Sequence, residues 1–239
     1  MYESNFQFYP ITMDEKPHSV RVDLNALVIE PDYPHLYVVR KPYNGRDNGF
    51  PTELAFDTLN EFETAVTDFL SPMDVQLIGA ITGNDVCDYF FVSKACISLE
   101  SILKERFPQE VMGVIVREHD DFEIYKSVLF PNEYQLAMIY NQNLCLNLER
   151  EGERFEVERD VEVLTVFERQ EDAQLFSQHF EQFAHTQTIE PREDGLIQTR
   201  MIASIVPTLP TMNGISQHIV SLTNQYNGSY EGWYCNVHK

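Results

Sequence analysis

Familiar signatures of catalysis are missing from this 239-residue sequence. It has only ten glycines, with no G-x-x-x-x-G-K-[ST] or G-x-G-x-x-G phosphate cradle and no G-x-S-x-G elbow for a nucleophilic serine. Its four cysteines, Cys87, Cys96, Cys145 and Cys235, form no C-x-x-C pair and mostly sit among apolar or aromatic residues, the pattern of reduced and largely buried thiols. The seven histidines, at 18, 35, 119, 179, 185, 218 and 238, include no H-E-x-x-H and none beside a cysteine pair, so no metal site, cofactor or catalytic residue is expected. No apolar run approaches the ~18 residues of a membrane span, and Met1-Tyr2-Glu3-Ser4-Asn5 has neither the basic nor the apolar part of a secretory signal. A cytoplasmic protein is expected, in which the glycosylation triplet Asn227-Gly228-Ser229 carries no meaning.

Positive charge is also scarce. Acidic residues outnumber basic ones by 38 to 17, giving a formal charge of −21, and the excess is distributed: residues 1–130 hold 10 basic and 22 acidic side chains, residues 131–239 hold 7 and 16. Such a surface repels phosphates and anionic lipid, which disfavours direct nucleic-acid or membrane binding, and it attracts a basic partner. Solubility alone would also account for the charge.

What is present is a folding composition: 43% hydrophobic residues with 16 Phe and 12 Tyr, enough large apolar surface for two cores. The length exceeds one typical domain of about 100 to 150 residues. Along residues 1–130, alternation predicts strands at 19–29 and 35–41. Leu59, Phe62, Val66 and Phe69 recur at helical spacing after Pro51. Two further strands, 74–82 and 86–93, flank the hairpin signal Gly83-Asn84-Asp85; a helix at 97–107 ends before Pro108, and a strand follows at 111–117. A short helical stretch, 122–129, closes this half. His119-Asp120-Asp121 before it is a dense polar cluster, read as a helix cap in preference to a base with an orienting carboxylate or a hard-cation site.

Residues 131–239 repeat the order after one extra helix, 133–150, whose apolar stripe reads as Ala137, Tyr140, Leu144 and Leu148. A strand from Glu156 is expected to place Val157, Val161 and Val163 inside and the carboxylates Glu156, Glu158, Asp160 and Glu162 outside. Then come a helix over 171–184 with Phe176, Phe180 and Phe183, strands at 186–190 and 197–206, a helix capped by Thr211, and a closing strand over 230–237. Apart from the first strand, each half reads β-α-β-β-α-β. The expected fold class is α+β: two tandem ferredoxin-like α/β sandwich domains, 1–130 and 131–239, each with an antiparallel sheet.

Two features of the second half stand out. The carboxylate row is either the solvent face of a strand or a surface for a basic partner. The tail Tyr226-Asn227-Gly228-Ser229-Tyr230-Glu231-Gly232-Trp233 holds the only tryptophan, which either plugs the core or anchors a partner together with Tyr230 and Glu231.

That tail resembles the Gly-Gly-x-Tyr-Asp-Gly-Trp ending of the bacterial regulator of ribonuclease E activity B (RraB) family, with Asn227 and Glu231 where the family has its first glycine and its aspartate. Gly152-Glu153 with Arg159 is similar to the family's Gly-Asp…Arg feature, and Asp172-Ala173 with Phe176 adds to the likeness over residues 135–239. Residues 1–130, through Val20-Arg21-Val22-Asp23-Leu24, Gly49-Phe50-Pro51, the helix with Leu59-Asn60-Glu61-Phe62-Glu63, and Asp121…Tyr125…Leu129-Phe130-Pro131, resemble a bacterial domain family of unknown function found fused to it. Ile124 stands where that pattern has tryptophan. The resemblance implies a non-catalytic regulator that binds ribonuclease E outside its catalytic core and inhibits or redirects it, and the acidic surface suits a basic protein segment as partner. An enzyme with a small-molecule site between the domains, or an adaptor unconnected with RNA processing, are the alternatives.

Overall fold

Ten strands and five α-helices form among residues 2–237, which the computed structural model describes, and all sheet pairings are antiparallel. The chain divides into two compact units, one up to Pro131 and one from Asn132. Each is an α+β unit with its own sheet.

The first unit runs β1 (Phe6–Met13), β2 (Lys16–Asp23), β3 (His35–Pro42), α1 (Glu53–Leu70), β4 (Val75–Gly83), β5 (Val86–Ser93), α2 (Leu99–Arg106) and β6 (Gly113–Arg117). The sheet order is β1-β2-β4-β5-β3-β6. Thr52 Oγ1 caps α1 by accepting the Ala55 N–H at 3.3 Å, and Leu59, Phe62, Val66 and Leu70 present one buried stripe to the sheet. That face carries Tyr37, Val39, Tyr89 and Phe91. The opposite face is roofed by the helical turn Tyr125–Leu129: Tyr9 donates its hydroxyl to Leu129 O at 2.8 Å, and Tyr125 donates to Asp23 O at 2.7 Å. Val20, Val22, Leu36 and Phe90 are buried there. This sheet is covered on both sides.

The strand expected over 19–29 is two different things. β2 ends at Asp23, whose fully buried carboxylate accepts the backbone N–H groups of Asn5 (2.8 Å) and Asn25 (3.0 Å) and turns the chain. Leu27-Val28-Ile29 then lie in a short helical segment, Ala26–Asp32, with Val28 74% exposed. β1 was not foreseen, because only Tyr9 of its eight residues is buried and no alternation shows. Asp120 does cap the stretch after it, accepting the Ile124 N–H at 3.1 Å. Burial raises its pKa despite that bond.

The second unit consists of α3 (Glu133–Arg150), β7 (Arg159–Phe167), α4 (Gln170–Gln178), β8 (Thr186–Pro191), β9 (Ile197–Ile205), α5 (Leu209–Gln225) and β10 (Gly228–Cys235), with sheet order β10-β7-β9-β8. A capping box joins Asn132 and Gln135 at the start of α3. All three helices pack on one face of the sheet, where Val161, Val163, Phe167, Met201, Ala203 and Ile205 meet Leu148, Phe176 and Ile219. No helix of this unit contributes to the other face.

Several local expectations shift. The buried residues of α3 are Ala137, Ile139, Asn141, Cys145 and Leu148, and Tyr140 is 68% exposed. Thr208, not Thr211, caps α5, accepting the Thr211 N–H at 3.3 Å, since Pro210 is tolerated in a first turn. α4 stops at Gln178; Phe180 is buried in the turn beyond it, while Phe183 is 45% exposed.

Candidate functional site

Between α3 and β7 the chain folds around one ion pair. Glu153 accepts the backbone N–H groups of Arg154 (2.8 Å) and Phe155 (2.6 Å) and pairs with Arg159. The guanidinium of Arg159 also donates to Val157 O at 2.9 Å and reaches Asn236 O at 3.5 Å. Both charged side chains are enclosed, 1% and 8% exposed. A buried pair with this many hydrogen bonds fixes a conformation, and here it holds 153–159 as a loop. Phe155, with φ of +56°, reverses the chain within it.

The expected carboxylate row is therefore not a row. β7 begins at Arg159, so Glu156 and Glu158 project from the preceding loop, both exposed, and Val157 beside them is 45% exposed rather than inside. Asp160 is exposed on the strand, 3.0 Å from His185 Nε2. Glu162 is buried and gripped by both arms of Arg200 from β9. Burial pushes its pKa up, but the hydrogen bonds of Arg200 and Tyr234 outweigh that and hold it below the ordinary carboxylate value. Glu162 is spent within the fold.

The aromatic tail divides in the same way. Asn227 adopts a left-handed φ of +53° after α5, and Gly228 follows where an added Cβ would lie 2.3 Å from the Phe167 ring, so only glycine fits. Trp233 is 6% exposed and belongs to the core. Its Nε1 donates to Asn141 Oδ1 at 2.8 Å, and Asn141 Nδ2 donates to Asn213 Oδ1 (2.9 Å) and Ser216 Oγ (3.1 Å). Ser216 in turn donates to the Tyr230 hydroxyl at 3.1 Å, and burial pushes the Tyr230 pKa up to about 12. Glu231 stays at the surface, 2.6 Å from Arg192 Nη1. Of the seven residues expected at a partner surface, Glu156, Glu158, Asp160 and Glu231 are exposed, while Glu162 and Trp233 are internal and Tyr230 is half-buried. Asn141 was missed, although it falls at four-residue steps between Ala137 and Cys145.

The uncovered face of the second sheet adds a neighbour that the sequence did not single out. Period-two alternation from Glu162 puts Asp160 and Leu164 on this face, with Arg200 and Ile202 of β9 and Tyr234 of β10. Tyr234 is 47% exposed. The result is a half-apolar patch bordered by the Glu156 and Glu158 loop.

Two histidines of the second unit are engaged within the fold. His179 Nε2 lies 2.8 Å from the Tyr226 hydroxyl, and His218 packs edge-on against Phe180; His238 lies outside the described residues. Cys87 and Cys145 are buried and Cys96 is exposed, all unpaired. Among the described residues no three His, Cys, Asp or Glu side chains cluster to hold a metal ion, and no helix is long and apolar enough to cross a membrane.

Comparison with known proteins assigns the two halves separately. Residues 138–235 match the family model described as Regulator of ribonuclease activity B, and residues 4–130, more than half of the chain, match that of a Family of unknown function (DUF695). No curated protein matches the chain.

Proposed function

Because the chain belongs to the DUF695 family through its first unit and matches regulators of ribonuclease activity B through its second, we propose that it is a non-catalytic regulator acting by protein association. The target is a basic segment of a ribonuclease E type RNA-processing enzyme in the bacterial cytoplasm, bound without direct contact to nucleic acid. The match over 138–235 carries this reading.

The proposal takes each unit as a ferredoxin-like domain, the first over 1–130 and the second over 131–239, a fold that by itself decides no role. In the second, the strand order sets the fourth and first strands beside the third and second, and β3 to β6 of the first follow the same order with the β1–β2 hairpin appended. Electrostatics support the proposed role. Glu156 and Glu158 have no ion pair among the described residues, so their charge is available to a cationic partner, and Tyr234 supplies an amphipathic contact beside them.

The experiment is a binding titration of the full chain against purified ribonuclease E at low and at physiological salt. Association should weaken as salt rises, and the triple reversal Glu156→Lys, Glu158→Lys and Asp160→Lys should weaken it by about tenfold or more. Reversal of Glu162 is unsuitable, because it would strand Arg200. Unchanged binding by the triple variant would show that the surface is misassigned.

A further inference from the structure

The first unit contains a cleft of about 340 Å³, within the range of small-molecule sites, which run from roughly 300 to 1,000 Å³. Its origin is topological. The β1–β2 hairpin extends the sheet past the area that α1 covers, and the cross-strand row Phe8, Arg21, Ala80 and Tyr89 becomes a floor with α1 along one side. Phe56, Asn60 and Glu63 line it from the helix, and Arg46, Phe50 and Pro51 from the loop that precedes the helix.

That loop is held in place. Arg46 N donates to Phe50 O at 2.7 Å, the Tyr43 hydroxyl donates to Gly49 O at 2.8 Å, and Asp85 accepts the Gly45 N–H at 3.0 Å. Gly49 has φ of +78°, and a Cβ there would lie 2.8 Å from Asn84 N. The cleft is preformed, so a ligand would meet little ordering cost.

Its polar groups are unusual for this chain. Arg21 lies under the Phe6 ring, 5.1 Å from its centroid, with Nη2 2.5 Å from Glu63 Oε2. Its Nη2 is engaged by that carboxylate, while Nε is shut from solvent and makes no hydrogen bond. Arg46 is exposed and has no ion pair among the described residues. Two guanidiniums against the single carboxylate of Glu63 make the cleft cationic in a protein of net charge −21. Around them the lining is aromatic, and Phe8 and Phe56, 53% and 54% exposed, leave large apolar surface at the opening. Burial pushes the Cys87 thiol in the lining up to about 11, so it stays protonated and supplies no nucleophile.

We infer that this cleft binds a small amphipathic carboxylate, its anionic head on Arg21 and Arg46 and its compact apolar body against Phe8 and Phe56. Planar guanidinium recognises a carboxylate with two parallel hydrogen bonds, and aromatic walls take the rest of the molecule.

Isothermal titration of the full chain with phenylpropionate and with phenylpropanol, its neutral counterpart, tests this. The acid should bind saturably and the alcohol at least about tenfold more weakly, while Arg46→Gln should weaken the acid by about tenfold and leave the alcohol unchanged. Arg21→Gln should abolish the preference for the acid; if that variant does not fold, the exposed Arg46 still decides the matter. Equal binding of acid and alcohol, no saturable binding of the acid, or wild-type affinity in Arg46→Gln would overturn the assignment. The readout needs no ribonuclease, so its failure leaves the proposed association untouched.

Discussion

The two sheets of this protein are closed in different ways. In the first unit α1 and α2 cover one face and the Tyr125–Leu129 turn roofs the other, so that Val20, Val22, Tyr37 and Val39 are all essentially inaccessible. In the second unit three helices crowd one face, and the other retains an exposed Tyr234 and the partly exposed Arg200. A sheet closed on both sides can offer a ligand only a gap in its covering, as the β1–β2 hairpin does. A sheet closed on one side offers a plane, which suits a macromolecule. The difference separates a unit with a cleft from a unit with a surface.

Mutations can sharpen or break that contrast. The largest effect should come from the covered face of the second sheet: Trp233→Ala is expected to cost about 3–5 kcal/mol, since it empties a core position and leaves Asn141 Oδ1 short of a donor. Chemical denaturation followed by circular dichroism measures it. If stability held while partner binding fell, Trp233 would be an anchor after all. Next, Leu129→Ala should cost roughly 2–4 kcal/mol, because it opens the roof of the first sheet. Ile202→Ala, on the bare face of the second sheet, should cost under about 1 kcal/mol. Equal losses from these two substitutions would mean that the second sheet is not bare in solution.

The smallest effect concerns pH. The folded pKa of Glu162 is depressed, so its contribution to stability is complete above the ordinary carboxylate range and disappears as pH falls through the lowered value. Thermal unfolding between neutral and strongly acidic pH should therefore show a shallower acid limb in Glu162→Gln than in the parent. An unchanged limb would mean that Arg200 does not hold the carboxylate in solution.

Most of the α+β layout was legible because local chemistry marks it. Pro51 stands at the approach to α1, Asn84-Asp85 turns the β4–β5 hairpin with both residues at positive φ, and the apolar spacing of residues 133–150 marks α3. What escaped depends on distant partners. β1 is an edge strand with a single buried side chain, so its periodicity is silent. Glu162 reads as solvent-facing until Arg200, 38 residues away, is seen to neutralise it. Glu156 and Glu158 alternate correctly for a strand, yet the Glu153–Arg159 pair keeps them in a loop, and nothing in their own spacing reports that. For the proposed partner surface, the spacing of the charged segment does not report which of its carboxylates are exposed, and Glu162 is enclosed. The cleft was invisible, since Phe8, Arg21, Arg46 and Phe56 come from separate elements.

The enclosure of Trp233 has a practical consequence. As the sole indole of the chain, bonded to Asn141 within the second unit, it is a private fluorophore of that unit, whereas the tyrosines are shared by both. Excitation at the red edge of the spectrum follows the melting of one unit without interference from the other. Superimposing that trace on the ellipticity of the whole chain would reveal whether the two halves unfold as one cooperative block or in succession.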